Sequence, residues 1–198
     1  MARKREFSEK DVLDKAISIF LEKGFEATSI LDLKRAMGIS TSSMYDTFGD
    51  KRGVFVKALG RYCELERLRL VQLVEETPSA MEVVSYIFDS LDNVLQNSPE
   101  NQGSLTFNTM VEFGTRDAHI TEIIFTHFFR IADIILGVVK AGQASASITT
   151  QHDAEHLTHL MLCTLYGLAA IRRAQPTYPF SDAIKQLVYS FLEAPIDS

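Results

Sequence analysis

His152, His156, His159 and Cys163 fall at i, i+4, i+7 and i+11, a single stripe if residues 151–174 form a helix. Imidazoles and thiolates are zinc and copper ligands, and histidines four apart on a helix can share an ion. One straight helix cannot wrap four ligands around one ion, so a second helix or a partner chain must complete such a metal-responsive site. The competing reading is a helix face packed at an interface. Cys63 and Cys163 are spaced like no metal clip and read as reduced thiols of a cytoplasmic protein. Ser, His and Asp are all present, but no nucleophile elbow, phosphate loop, HExxH pair or Gly-rich dinucleotide turn accompanies them. That argues against an enzyme, and no cofactor is called for.

A second group of residues points to different chemistry. Thr41, Ser42, Ser43, Asp46 and Thr47 lie on the outward face of a short helix that Ser40 caps. Short hydroxyls and a carboxylate there can meet base edges in a major groove. Asp46 repels phosphate unless it accepts from a cytosine amino group; a plain solvated charge is its other reading. Thr28 and Ser29 stand at the start of the preceding helix. Their hydroxyls and the free N–H groups there suit a phosphate, or serve only as caps.

The elements that position these residues are helical almost throughout. Ser8 opens a capping box ahead of Leu13, Ala16, Ile17 and Phe20, and Phe7 and Val12 are placed as a hydrophobic staple. Gly24 stops this helix. A second helix carries Ile30, Leu33 and Met37 and ends at Gly38. The third turns Met44, Tyr45 and Phe48 inward and ends at Gly49. Helices are then expected over 51–76, 79–97, 104–114, 117–141, 151–174 and 180–193, with 143–149 as a loop and no convincing strand. Two short helices joined by a tight glycine turn are the helix-turn-helix plan, whose second member enters the major groove.

Charge is divided to match. The chain is net −6, yet residues 1–60 hold 11 Lys and Arg against 9 Asp and Glu, and the rest hold 9 against 17. A mildly basic head on an acidic body suggests two jobs. Arg3, Lys4 and Arg5 form a basic arm that reads either as a minor-groove contact or as a solubilising terminus. No segment approaches the roughly 18 apolar residues of a membrane span.

Residues 10–55 resemble the N-terminal domain of the TetR family of bacterial transcriptional regulators. The match runs through Ala16, Phe20, Gly24, Phe25, Thr28, Ser29, Ile30, Ala36, Gly38, Ile39, Ser40, Met44, Tyr45, Phe48, Lys51 and Phe55. Residues 102–112, ending at Glu112, and Tyr166-Gly167-Leu168 with Arg172-Arg173 look like ligand-domain segments of one subgroup.

The resemblance implies an all-α fold of about nine helices. Residues 1–52 would be the DNA-binding domain and residues 53–198 a helical effector-binding and dimerisation domain. It implies a repressor, homodimeric through the last two long helices, that binds double-stranded operator DNA and is released by a small molecule. It makes Tyr45 and Lys51 phosphate contacts, although a core tyrosine is an equal reading of Tyr45 on physics alone. The chain departs from the family in lacking Arg or Lys between residues 40 and 50. Without a bidentate arginine on this helix, readout must rest on hydroxyls, thymine methyls, water or DNA shape.

In the body, Phe88, Phe107, Met110, Phe113, Phe125, Phe128, Phe129, Met161 and Tyr166 fall on successive helices, with His127, Glu112 and Asp133 among them. These read either as ordinary core or as the lining of an apolar effector cavity. Phe88, Phe107, Met110, Phe113, Phe125, His127, Phe128, Met161 and Tyr166 are the candidate pocket residues.

Overall fold

The structure, a computed structural model, describes residues 8–97, 103–175, 178 and 181–194. The basic arm and Phe7 of the expected staple lie outside them. Among the described residues there are nine helices and no sheet; a lone bridge joins Ile148 to Glu193.

Local sequence explains the first three helices. In α1 (Glu9–Ala27) the Ser8 side chain accepts from Asp11 N–H, and two acidic residues sit in the first turn, where the helix dipole favours them. Gly24 interrupts this helix at φ +79°, and the last residues curl on to Ala27. Ser29 and Asp32 form a reciprocal capping box on α2 (Ile30–Met37), which ends at left-handed Gly38. Ser40 caps α3 (Thr41–Phe48) by accepting from Ser43 N–H. Asp50 accepts from Gly53 N–H at 2.7 Å and starts α4 (Lys51–Glu76).

The remaining helices are α5 (Ala80–Asn97), α6 (Leu105–Phe113), α7 (Ala118–Ala144), α8 (Ala154–Ala174) and α9 (Ser181–Leu192). Helix α7 outruns the expected end at 141 because backbone bonds from Ser145, Ser147 and Ile148 to Ala141 and Gly142 close it late. Helix α8 starts three residues later than expected. Asp153 accepts from Glu155 N–H and sets its first turn.

The chain forms two compact units, and neither is continuous in sequence. One comprises the described residues up to Leu65 with Ser104–Ile124; the other comprises Glu66–Gly103 with the described residues from Phe125 onward. The first unit packs Val12, Ala16, Phe20, Leu33, Met37, Met44, Phe48, Val54, Phe55 and Leu59 with Leu105, Ile120 and Ile124. Phe20, Leu33 and Met44 are fully buried, each contributing about 1.5–3 kcal/mol of burial. The second unit has its own core around Val84, Phe88, Ile135, Val139, Ile148, Leu157, Met161, Leu168 and Leu192.

Candidate nucleic-acid interface

Recognition helix α3 buries Met44 and Phe48 and exposes Ser42, Tyr45 and Asp46; Thr41, Ser43 and Thr47 are half-buried. Tyr45 is 46% exposed, so it is not the inward core residue that helical spacing suggested. Its hydroxyl is free to reach outward, as a phosphate contact needs. Asp46 forms no ion pair among the described residues. The N-terminal hydroxyls of α3 form a cluster: Ser40 Oγ donates to Ser43 Oγ at 2.9 Å and lies 3.0 Å from Ser42 Oγ. Each hydroxyl keeps acceptor capacity, so the cluster can rearrange to meet a base edge or a water.

Ser29 stands exposed at the head of α2, with its hydroxyl bonded to Asp32 at 2.7 Å. Asp32 also accepts from Lys23 Nζ at 2.8 Å. That ammonium first, then the Ser29 hydroxyl and N–H, hold the Asp32 carboxyl well below the usual carboxylate range. Thr28 does not share this position. Its side chain is 1% exposed and its hydroxyl donates back to the Gly24 carbonyl. The expected phosphate contact at Thr28 is corrected to a buried cap at the end of α1.

Lys51 is also placed differently. Its ammonium donates to the carbonyls of Phe25 (2.9 Å), Glu26 (3.3 Å) and Thr28 (2.9 Å) and sits 4.3 Å from the centre of the Phe25 ring. An ammonium has three donors, and all three are engaged. The other cations in the first half of α4 are engaged too. Arg52 binds Asp117, Lys57 binds Glu9, and Arg61 binds Asp14.

Positive charge lies instead beside the α2–α3 turn, at residues that sequence reading did not single out. Leu31, Lys34, Arg35, Gly38, Ile39 and Ser40 line an open depression of about 510 Å³. Lys34 and Arg35 are exposed and make no ion pair among the described residues. Leu31 is 59% exposed on the same face. The available signal was the pair of cations one turn after an outward leucine, ending at the turn glycine.

The candidate effector residues divide between the two units. Phe113 and Met110 pack into the core of the first unit, where the Phe113 ring stacks on Phe55 at 5.4 Å and tilts against Phe25 at 5.2 Å. Phe107 is half-buried on the same helix. Phe88 and Met161 are fully buried core residues of the second unit. Phe125 is 45% exposed, beside Phe128 and Phe129. Phe128 reaches the Tyr166 ring at 5.7 Å. His127 is buried, with Nε2 3.1 Å from Glu66 Oε2. Asp133 is exposed, and Glu112 lies against α1 rather than among these aromatics.

The histidine stripe does not converge. His152 precedes the cap of α8, while His156, His159 and Cys163 are exposed along it. Among the described residues no group of three or more His, Cys, Asp or Glu is placed to hold a metal ion. No described helix is long and apolar enough to cross a membrane.

Comparison with known proteins agrees with this geometry. Residues 12–58 match the family described as bacterial regulatory proteins, tetR family. The uncharacterized HTH-type transcriptional regulator YezE of Bacillus subtilis (strain 168) is 34% identical over 112 residues, 57% of this chain and 58% of that protein. The HTH-type transcriptional repressor ComR of Escherichia coli (strain K12) is 24% identical over 172 residues, 86% of this chain and 82% of that one. The TetR family regulator CifR, solved with 26-bp double-strand operator DNA, superposes with a TM-score of 0.78 at 21% identity over 96% of this chain and 97% of its own. The helical architecture is the one that this solved regulator has. The helix-turn-helix carried by residues 12–58 is thus that of the tetR family of bacterial regulatory proteins.

Proposed function

We propose that the chain is a homodimeric repressor that binds operator DNA through α2 and α3 and leaves it when a small, largely apolar molecule binds the second unit. The observation that carries the DNA half is the outward face of α3. Ser42, Tyr45 and Asp46 are exposed, and a capped N-terminus stands beside the unpaired cations Lys34 and Arg35. Thr41, Ser42, Ser43, Asp46 and Thr47 read bases in this proposal. Ser29, Tyr45, Lys34 and Arg35 meet phosphates, and Leu31 stands where a thymine methyl fits. Residues 1–52 are the DNA-binding part and residues 53–198 the effector-binding and dimerisation part. Structural likeness to a regulator solved on operator DNA, and sequence likeness to a repressor, support the reading.

The dimer would form through α8 and α9. These helices pack on each other yet leave Leu160 and Ile171 38% exposed, Leu187 60% and Phe191 53%. Four large apolar residues on one helix pair are surface that a second copy would cover. A two-fold dimer presents two recognition helices, and operator binding requires them one DNA turn apart, about 34–36 Å. The effector residues in this proposal are His127, Phe128 and Tyr166 of the second unit, where Phe128 reaches the Tyr166 ring and the neighbouring His127 is buried on Glu66.

Selection of bound fragments from a pool of genomic DNA tests the reading, followed by gel shifts on the recovered duplex with a panel of apolar organic compounds. A discrete operator released by one compound class is the expected result. Binding without sequence preference, or an operator that no compound and only a metal ion releases, would overturn it.

A further inference from the structure

The loop that ends α1 is held between two opposite charges. On one side the Glu112 carboxylate of α6 accepts from Phe25 N–H at 2.9 Å through Oε2 and from Glu26 N–H at 2.7 Å through Oε1. On the other side the Lys51 ammonium of α4 takes the carbonyls of Phe25, Glu26 and Thr28. The Phe25–Glu26 peptide group between them therefore points its N–H at the anion and its C=O at the cation.

Gly24 makes this possible in two ways. Its φ of +79° turns the following N–H groups toward α6, and a Cβ there would stand 3.2 Å from Glu112 Oε2. Successive backbone N–H groups arranged in this way form an anion-binding concavity. Here a carboxylate from 87 residues away in sequence fills it.

Helix α6 does not itself favour Glu112 where it is. The residue lies in the last turn, two positions before Gly114, where the dipole disfavours negative charge. The two N–H groups of the loop offset that cost. The chain leads into α6 from the second unit and returns to that unit after Ile124. A shift of α6 thus reaches the N-terminal helices directly at this loop. Ser29, the cap of α2, follows the loop, and Lys51 heads α4 immediately after α3. Both neighbours of the recognition helix are registered on the same five residues.

We infer that Glu112 is the positioning residue through which α6 sets the DNA-binding state of α2 and α3, with Lys51 as its counter-charge across the loop. The inference rests on the regulator reading above. Glu112→Gln tests it, since the amide keeps the size and replaces one acceptor by a donor facing an N–H. Amide hydrogen exchange, followed residue by residue, should show Phe25 and Glu26 protected in the wild type and about tenfold faster in the variant, with helical content unchanged. Affinity for the selected operator should fall by about tenfold with an unchanged salt slope, because Glu112 does not touch DNA. Combining Glu112→Gln with Lys51→Met should cost less than the sum of the two single losses.

Unchanged exchange at Phe25 and Glu26, unchanged operator affinity, or strictly additive losses would each overturn the inference. Should Glu112→Ala fail to fold, the isosteric Gln variant carries the test alone. Failure of the wild type to bind any duplex overturns the regulator reading itself, and is distinguishable because exchange at the loop would remain protected.

Discussion

Arg52 grips Asp117 with two prongs, Nε to Oδ2 at 2.9 Å and Nη2 to Oδ1 at 3.0 Å, while Asp117 Oδ1 also accepts from the N–H groups of His119 and Ile120 at the start of α7. One carboxylate therefore caps a helix and ties it to α4. With Lys51, Lys57 and Arg61 engaged as well, the first half of α4 directs its cations inward to the unit rather than outward to a ligand. Exposed pairs of this kind are worth about 0–1 kcal/mol each, so they order the unit more than they stabilise it.

Stability should fall in acid through Asp32 and Asp117. The Asp117 carboxyl is held below its ordinary value by the Ile120 N–H first and then by Arg52; Asp32 is held down chiefly by Lys23. Folded chains then bind fewer protons at these sites than unfolded ones, so stability rises with pH. The contribution is complete above the unfolded value near ~3.9 and is lost as pH falls toward the folded values. Thermal melts across the acid range should show the gap between wild type and Asp32→Ala narrowing as pH drops. A constant gap would remove the linkage.

Lys51→Ala should weaken operator binding while leaving the salt slope nearly unchanged, because its donors hold the α1 loop. A direct phosphate contact would instead lower the slope by about 1 per protomer, about 2 per dimer. Titrations at several salt concentrations decide between the two roles.

Lys34→Ala and Arg35→Ala should show the opposite signature. Each should weaken binding to operator and to mixed-sequence duplex alike and reduce the slope by about 1 per protomer. Losses confined to the operator would mean that these cations do not lie on the phosphate backbone.

Ser42→Ala with Ser43→Ala should relax base preference and spare non-specific affinity. Base contacts discriminate by about 1–3 kcal/mol, and single hydroxyls belong at the low end. Fragment selection with the double variant returning the wild-type operator would move readout to DNA shape or to Leu31.

Leu187→Glu with Phe191→Glu should yield a folded monomer. Both side chains are more than half exposed, so charge there costs little within one chain, yet it would be buried in a dimer. Sedimentation of wild type and variant at the same concentration reads the difference, and an unchanged dimer would place the interface elsewhere.

Much of the DNA-binding unit was legible in the sequence because its determinants are local. The caps Ser8, Ser29 and Ser40 and the glycines 24, 38 and 49 fix helix ends within a few residues, and the spacing of Leu33, Met37, Met44 and Phe48 fixes the buried faces. What local spacing cannot set is which distant group satisfies a given polar atom. Thr28 and Ser29 are adjacent and alike, yet one is buried with its hydroxyl on the Gly24 carbonyl and the other is exposed with its hydroxyl on Asp32. Lys51 looked like an outward charge because nothing near it in sequence offers three carbonyls. Those carbonyls arrive only when α1 ends against α4. Phe113 and Glu112 carried the same ambiguity. Their helix was expected to belong to the body, but it packs with the N-terminal unit, so an expected pocket phenylalanine stacks on Phe55 and a polar neighbour becomes the anion that the Gly24 loop needs. Helix positions and faces follow from periodicity, whereas partners separated by dozens of residues follow only from packing.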